Sequence, residues 1–136
     1  MGQQQLLLIV LGVIIVGIAV VVGINLFSSS AKQSNEDSIV QECLSIISSS
    51  QQWVRKPQVL GGPAVQNDYS NFDFQIIGKP VAAGTLVWTN ANGDVYTVSA
   101  RGVNTFTLTA VGREGVTAVY TGVTSTTVPT PVITRG

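Results

Sequence analysis

The sequence from Leu6 to Phe27, LLLIVLGVIIVGIAVVVGINLF, holds 22 residues, carries no charge and contains one clearly polar side chain, Asn25. A helix rises ~1.5 Å per residue, so this stretch reaches ~33 Å and matches the ~30 Å hydrocarbon core of a bilayer. No face of such a helix is polar, and its whole circumference therefore requires burial in lipid or in protein. We call residues 6–27 the rod.

Three kinds of segment have this hydropathy. A secretory signal peptide has an apolar core of only ~7–15 residues behind positive charge. The rod is longer than that, and Met1 to Gln5 contains no basic side chain. Two readings stay open: a single-pass membrane anchor, or a segment that occupies the membrane temporarily and is later buried against other copies of itself.

The composition describes one small, sparsely charged domain behind the rod. The chain has 136 residues, so about 110 follow the rod, enough for a single domain. Seven basic and seven acidic residues make up 10% of the sequence, against a usual ~25%. The absence of a basic cluster argues against nucleic-acid binding. A single cysteine cannot form an internal disulfide.

The rod runs into a second helical segment, because residues 31–55 contain neither Gly nor Pro. Apolar residues recur there at steps of three and four, which predicts an amphipathic helix. They are Ile39, Val40, Cys43, Leu44, Ile47 and Val54. Pro57 ends the pattern. We therefore predict a helix from near Met1 to about Lys56, apolar all round over residues 1–27 and amphipathic over residues 28–56. Cys43 is read as a small core residue.

A loop over residues 57–71 precedes a change of apolar period from 3.6 to 2, which predicts strands over residues 72–123. The predicted strand segments are residues 72–77, 86–89, 95–100, 105–110 and 116–121. Asn92-Gly93 is a strong hairpin signal between two of them. We interpret these segments as a meander of about four antiparallel strands with one apolar face. That face must pack against another element, and the apolar stripe from Ile39 to Val54 is available for this contact. The predicted fold class is α+β, with an extended, exposed Ser/Thr/Pro tail over residues 124–136.

The inventory of side chains argues against an enzyme. The sequence has no His, no Ser in a nucleophile elbow, no phosphate-binding Gly-rich loop and no carboxylates at ligand spacing. Asp68, Asp73 and Asp94 are scattered through turns, where Asp is ordinarily structural. No catalytic, cofactor or metal site is predicted. Trp53 and Trp88 are read as core anchors between helix and sheet.

A polar N-terminus of a few residues, an uncharged apolar helix continuing as an amphipathic one, then a loop and a small antiparallel sheet together resemble a type IV pilin. The resemblance implies a membrane precursor whose short basic leader, expected before Met1, is removed by a prepilin peptidase. It further implies N-methylation of Met1 and extraction of subunits from the membrane by a pilus assembly machinery. The product would be a helical homopolymer on the cell surface, with apolar helices in its core.

The resemblance assigns filament-core assembly to one side-chain set in the rod and just before it. Its members are Gln5, Leu6, Leu7, Ile9, Val10, Gly12, Val13, Ile14, Val16, Gly17, Val20, Val21, Gly23, Ile24 and Phe27. Pilins usually have a glutamate at the position of Gln5, and many have a proline in the rod and a disulfide near the C-terminus. This chain has none of the three, which indicates a divergent branch.

The sequence therefore predicts a structural subunit of an extracellular type IV pilus-like filament. The precursor is expected in the cytoplasmic membrane, and the assembled subunit on the cell surface. The alternative is a monomeric membrane-anchored module, or a pseudopilin that works within a secretion system.

Overall fold

The computed structural model describes residues 2–136, and Met1 lies outside the described residues. Within residues 2–136, a single α-helix is followed by a short 3-10 helix at Gln58–Leu60 and by five strands. The elements are α1 (Gly2–Arg55), β1 (Val87–Thr89), β2 (Val95–Ser99), β3 (Phe106–Val111), β4 (Val116–Val123) and β5 (Val132–Arg135). A long helix with an apolar N-terminal part and one antiparallel sheet confirm the predicted α+β fold class.

The two halves of α1 have different surroundings. Residues 2–30 are all exposed, whereas the buried residues of the helix begin at Ile39. Seven side chains spaced by one, three or four residues form the buried stripe: Ile39, Cys43, Ile46, Ile47, Ser50, Trp53 and Val54. Leu44, predicted on this stripe, is instead 45% exposed. At 3.6 residues per turn, Leu44 lies ~100° around the helix from Cys43 and so leaves the contact with the sheet.

The five strands form an antiparallel meander in the order β1-β2-β3-β4-β5. The hairpin predicted at Asn92-Gly93 is confirmed: β1 pairs with β2, and the Asn90 backbone N–H donates to the Asp94 carbonyl at 3.0 Å. Gly93 has φ 89°, a left-handed conformation that Gly adopts without steric penalty. β3 and β4 are joined by the turn over residues 112–115.

The prediction of a strand at residues 72–77 is wrong, because residues 72 and 73 are irregular and residues 74–77 form turns. The Asp73 carboxylate accepts hydrogen bonds from the backbone N–H groups of Ile76 at 3.0 Å and Gly84 at 2.7 Å. These bonds satisfy backbone donors locally and hold a turn in place of a sheet ladder. Phe72 and Phe74 are both fully buried, so the segment reaches the core as a loop.

An aromatic cluster joins this loop to the helix and the sheet. The Phe72 ring centroid lies 5.7 Å from that of Trp53 on α1 and 5.2 Å from that of Phe106 on β3. The Trp53 indole N–H donates to the Gly61 carbonyl at 3.0 Å. Trp53 is therefore buried as a core residue. Trp88 is half-buried at the edge of the sheet and stacks on Tyr96, with ring centroids 5.2 Å apart.

The tail over residues 124–136 contains a strand that the sequence reading did not predict. Residues 132–135 form β5, which pairs with β4 in a register that places Val132 beside Val119 and Arg135 beside Val116. All four residues of β5 are exposed, as expected for an edge strand. The segment predicted to be an extended tail thus also contributes the fifth strand of the sheet.

Candidate functional site: the rod and its base

The rod projects from the domain and packs against no other element among residues 2–136. Its large apolar side chains are 49% exposed at Val22 and 78% exposed at Phe27, and the others lie between these values. Among residues 2–136, α1 is the one helix long and apolar enough to cross a membrane. Burial of each such side chain stabilises by about 1.5–3 kcal/mol. The rod therefore requires lipid or protein around it.

The residues predicted for filament assembly lie along this one helix and around its whole circumference. The structure brings none of them into contact with another element. Gln5 lies exposed in the first turns of α1, and the predicted processing residue, Met1, lies outside the described residues. A Cβ added at Gly12, Gly17 or Gly23 would meet nothing within 4 Å. These glycines leave low points on the surface where another helix can approach closely.

The C-terminal segment, residues 124–136, is bonded to α1 at both of its ends, and we call it the strap. At one end, the Gln51 side-chain amide donates to the carbonyl of Thr124 at 2.9 Å. Beside it, the Arg55 guanidinium donates to the carbonyl of Ser125. This end of the strap lies at the last turns of the helix.

The other end of the strap meets α1 near the base of the rod, where the helix enters the domain. Lys32 Nζ donates to the Gly136 carbonyl at 2.6 Å, and Arg135 Nε forms an ion pair with Glu36 at 2.6 Å. The strap thus runs along the domain from the C-terminal end of α1 back to the base of the rod. It connects the edge of the sheet to the helix at the point where the helix leaves the domain.

A buried carboxylate holds the helix against two turns of the sheet. Asp94, with no exposed surface, accepts hydrogen bonds from Asn35 Nδ2 at 3.0 Å, Asn90 Nδ2 at 3.1 Å and the Arg113 backbone N–H at 3.0 Å. We call these four residues the latch. Burial acts to raise the pKa of the Asp94 carboxyl, but these hydrogen bonds and the Arg113 charge outweigh burial and lower the pKa.

The latch depends on a close approach between α1 and the turn that follows β3. A Cβ added at Gly112 would lie 2.1 Å from Asn35 Oδ1 and 2.3 Å from Ile39 Cδ1. A side chain at position 112 would therefore force the side chains of Asn35 and Ile39 to move. A cavity of about 320 Å³ lies beside the latch, bordered by Ser34, Ser38 and Asn92 among others.

A second polar contact joins the middle of α1 to the loop before β1. Lys79 Nζ forms an ion pair with Glu42 at 2.5 Å and lies 3.9 Å from the ring centroid of Trp88. A cation over an indole face is attracted by the ring quadrupole. The same ammonium therefore connects the helix, the loop and the edge of the sheet.

Cys43 lies in the core between helix and sheet and is fully buried. Burial, assisted by the neighbouring Glu42 charge, raises the pKa of its thiol to about 12. The thiol therefore stays protonated at neutral pH, when it is a poor nucleophile and metal ligand.

The three turn aspartates predicted to be structural serve three separate turns. Asp68 accepts from the Ser70 backbone N–H at 2.8 Å, Asp73 holds the turn before Gly84, and Asp94 belongs to the latch. Among residues 2–136, no group of three or more His, Cys, Asp or Glu side chains is placed to hold a metal ion. The contacts of Asp73 and Asp94 are those of acceptors for nearby backbone and amide donors.

The sequence reading missed the latch and the strap. Asn35 lies in a polar run of the helix, and no local pattern connects it with Asp94, 59 residues later. For the strap a signal was available, because Val132-Ile133-Thr134 is a β-branched run of the kind that favours a strand. The nearby Pro129 and Pro131, however, are typical of an extended tail.

Comparisons of the chain with protein-family models, with curated proteins and with solved structures found no match. The fold itself defines a class of architecture. A long helix with a free apolar N-terminal part packs through its second half on an antiparallel sheet, which is a pilin-like arrangement. Its apolar N-terminal part is compatible with anchoring in a membrane.

Proposed function

We propose that this protein is a structural subunit of an extracellular type IV pilus-like filament that polymerises through the rods of many copies. The observation that carries the proposal is the rod itself, a charge-free helical segment exposed on all sides and continuous with the helix that anchors the domain. In such a filament the rods would pack together in the centre, and the sheet domains would lie outside. The protein would act by assembly and would catalyse no reaction.

The energetics of the rod support assembly. Seventeen large apolar side chains of the rod are about half exposed or more, so their complete burial would contribute about 15–30 kcal/mol per copy. No polar side chain except Asn25 interrupts this surface. A structure that repeats the same helix–helix contact along an axis buries the whole circumference of every rod, as the uniform apolarity requires.

The surroundings of the rod support transfer from membrane to filament. Gln5 is neutral, and burying an amide in a protein core is less costly than burying a carboxylate. Residues 1–35 contain no Trp or Tyr, which hold a permanent span at a fixed depth, and Lys32 is the one basic side chain among them. In this proposal the precursor resides in the cytoplasmic membrane. A prepilin peptidase and a pilus assembly machinery then process it and extract it into the filament.

The alternative function uses the same helix differently. The rod is long enough to span a bilayer, which equally suits a monomeric membrane-anchored module or a pseudopilin of a secretion system. The two proposals differ in where the mature protein is found. A filament subunit can be sheared from the cell surface as fibres, whereas an anchored module stays with the detergent-soluble membrane fraction.

The test is electron microscopy of material sheared from cells that produce the full chain, with mass spectrometry of the fibres. Uniform fibres made of this protein are expected. Val13→Lys should abolish them, because every copy would place an unpaired charge in the filament core. Val13→Leu, which keeps the rod apolar, is the matched control and should assemble normally.

The domain provides an internal check on both variants. Because the rod contacts no other element, the near-ultraviolet circular dichroism of the core aromatic residues should match the wild type in detergent. Fibres of normal length from Val13→Lys would refute the buried-core proposal. Wild-type protein found only in the membrane fraction, without fibres, would favour the anchor or pseudopilin instead.

A further inference from the structure

The cavity beside the latch lies where the rod enters the domain. Its walls are one side of α1, over residues 31–38, and the turns that join β1 to β2 and β3 to β4. Every residue that borders it except Ala31 has a polar side chain. Its volume of about 320 Å³ falls within the ~300–1,000 Å³ of small-molecule sites. The cavity is therefore large enough for a small polar group.

The position of the cavity along α1 places it at the end of the rod. Ala31 is four residues beyond Phe27, or about 6 Å along the helix axis. The headgroup layer on each side of a bilayer core is about 5–8 Å thick. When the rod spans the core, the cavity therefore opens into the headgroup layer. This placement rests on the membrane location in the proposed function, which the filament precursor and the anchored module share.

The helix face directly below the cavity is apolar. Phe27, Ile24 and Val20 precede Ala31 at steps of four, three and four residues, so they lie on the same side of α1. Their side chains are 78%, 63% and 54% exposed. A polar cavity thus continues downward as an apolar track. An amphiphile, with a polar head and a hydrocarbon chain, has these two chemistries in the same order.

Two opposite charges border the cavity from a single turn. Arg113 Nε lies 3.9 Å from Glu114 Oε1, which is longer than a hydrogen bond, and the Arg113 side chain is 71% exposed. An exposed ion pair of this kind contributes little. The guanidinium can therefore donate to an anionic group of a ligand, while the carboxylate accepts from a cationic one. The planar guanidinium matches the geometry of phosphate oxygens.

The latch fixes this charged turn against α1. The Arg113 backbone N–H donates to the Asp94 carboxylate at 3.0 Å, and the Glu114 backbone N–H donates to Asn35 Oδ1 at 3.4 Å. The same Asn35 side chain donates through Nδ2 to Asp94 at 3.0 Å. The helix wall and the charged turn thus have a fixed relative position, and binding requires little ordering of the protein.

We propose that this cavity binds the headgroup of a zwitterionic phospholipid, with an acyl chain along the apolar helix face below it. The Arg113 guanidinium and the Ser34 hydroxyl donate to the phosphate. The Glu114 carboxylate accepts from the ammonium group of the headgroup. A lipid bound in this way fixes the height and the rotation of the domain on the membrane.

The charges of the cavity distinguish this ligand from related ones. A headgroup with a phosphate but no ammonium leaves Glu114 without a cation and brings a negative charge close to it. A soluble phosphate ester has the same polar chemistry but no hydrocarbon for the exposed face at Phe27. The site should therefore prefer phosphatidylethanolamine to phosphatidylglycerol and to soluble phosphoethanolamine.

The test is native mass spectrometry of the full chain, released from neutral detergent that contains either phospholipid. The wild type should retain phosphatidylethanolamine more strongly than phosphatidylglycerol. Arg113→Gln should lower the affinity for phosphatidylethanolamine at least ~tenfold, because a hydrogen bond between two charged groups is lost. The Arg113 backbone bond to Asp94 does not depend on the side chain, so this variant should melt like the wild type.

Lys56→Gln is the matched control for the charge. It removes one exposed basic side chain just past the end of α1, on the far side of the domain from the rod, and should retain the lipid like the wild type. Ser38→Trp gives a second measurement without a change of charge, because the indole would occupy the cavity and should reduce retention. Ser48→Trp, at an exposed position of α1 away from the cavity, should not.

Flotation of the full chain with phosphatidylethanolamine vesicles separates this inference from the proposed function. A chain that does not float would contradict the membrane location, and the headgroup site with it. A chain that floats but retains the lipid equally with and without the Arg113 side chain would overturn the headgroup site alone. Equal retention of the two phospholipids would also overturn it. So would displacement of the lipid by an equal concentration of phosphoethanolamine, which would assign the cavity to a soluble phosphate ester.

Discussion

Removal of the Asp94 carboxylate should destabilise the domain more than removal of any other single turn aspartate. In Asp94→Ala, the side-chain amides of Asn35 and Asn90 and the backbone N–H of Arg113 lose their shared acceptor. Asp94 is fully buried, so water does not replace it without rearrangement of the helix–sheet contact.

The magnitude follows from these three bonds. A hydrogen bond to a charged group contributes about 1.5–3 kcal/mol, and each buried donor left without a partner costs about 1–3 kcal/mol. Domains of this size unfold with a free energy of about 5–15 kcal/mol. The variant should therefore lose a large share of its stability, and its melting temperature should fall by roughly 10 °C or more.

The assay is thermal unfolding of the full chain in detergent, followed by the near-ultraviolet circular dichroism of the core tyrosine and tryptophan residues. Asp68→Ala is the matched control, because the hydrogen bonds of the exposed Asp68 carboxylate go to Ser70, two residues away, and this variant should melt at the wild-type temperature. A decrease of less than ~1 kcal/mol in Asp94→Ala would refute the latch as a main helix–sheet connection.

The pH dependence provides an independent signature. The folded state lowers the pKa of Asp94, so the unfolded state binds a proton more readily. The stability contributed by this carboxylate is complete above its unfolded pKa of about 4 and is lost as the pH falls through the lower folded-state pKa. Asp94→Asn should remove this part of the acid dependence. An unchanged acid profile in Asp94→Asn would assign the dependence to other carboxylates.

Two further predictions address the contacts around the base of the rod. Gly112→Ala should destabilise the domain by about 1–3 kcal/mol, because its Cβ would overlap Asn35 and Ile39, whereas Gly102→Ala, with open space around it, is the control in the same melting experiment. Equal melting temperatures for the two variants would contradict the close approach. Arg135→Ala should release the end of the strap from Glu36, so that hydrogen exchange of the backbone amides in β5 becomes faster while β2 and β3 stay protected. Unchanged exchange in β5 would show that its pairing with β4 holds the strap without the ion pair.

Three elements could be predicted from short stretches of sequence alone. The rod follows from an uninterrupted apolar run, the amphipathic half of α1 from its spacing, and the β1–β2 hairpin from Asn92-Gly93. Each of these patterns acts within a few residues, where helix periodicity, turn geometry and the loss of a donor at Pro57 outweigh long-range effects.

Other features depend on contacts between residues that are distant in sequence, and only the tertiary structure shows them. Residues 72–77 alternate like a strand, but Asp73 takes the backbone donors of Ile76 and Gly84 and makes a turn. The partner of Asn35 lies 59 residues away, and β5 becomes a strand because β4 offers it an open edge. No local propensity encodes such pairings, because their free energy arises only when the chain brings the two groups together.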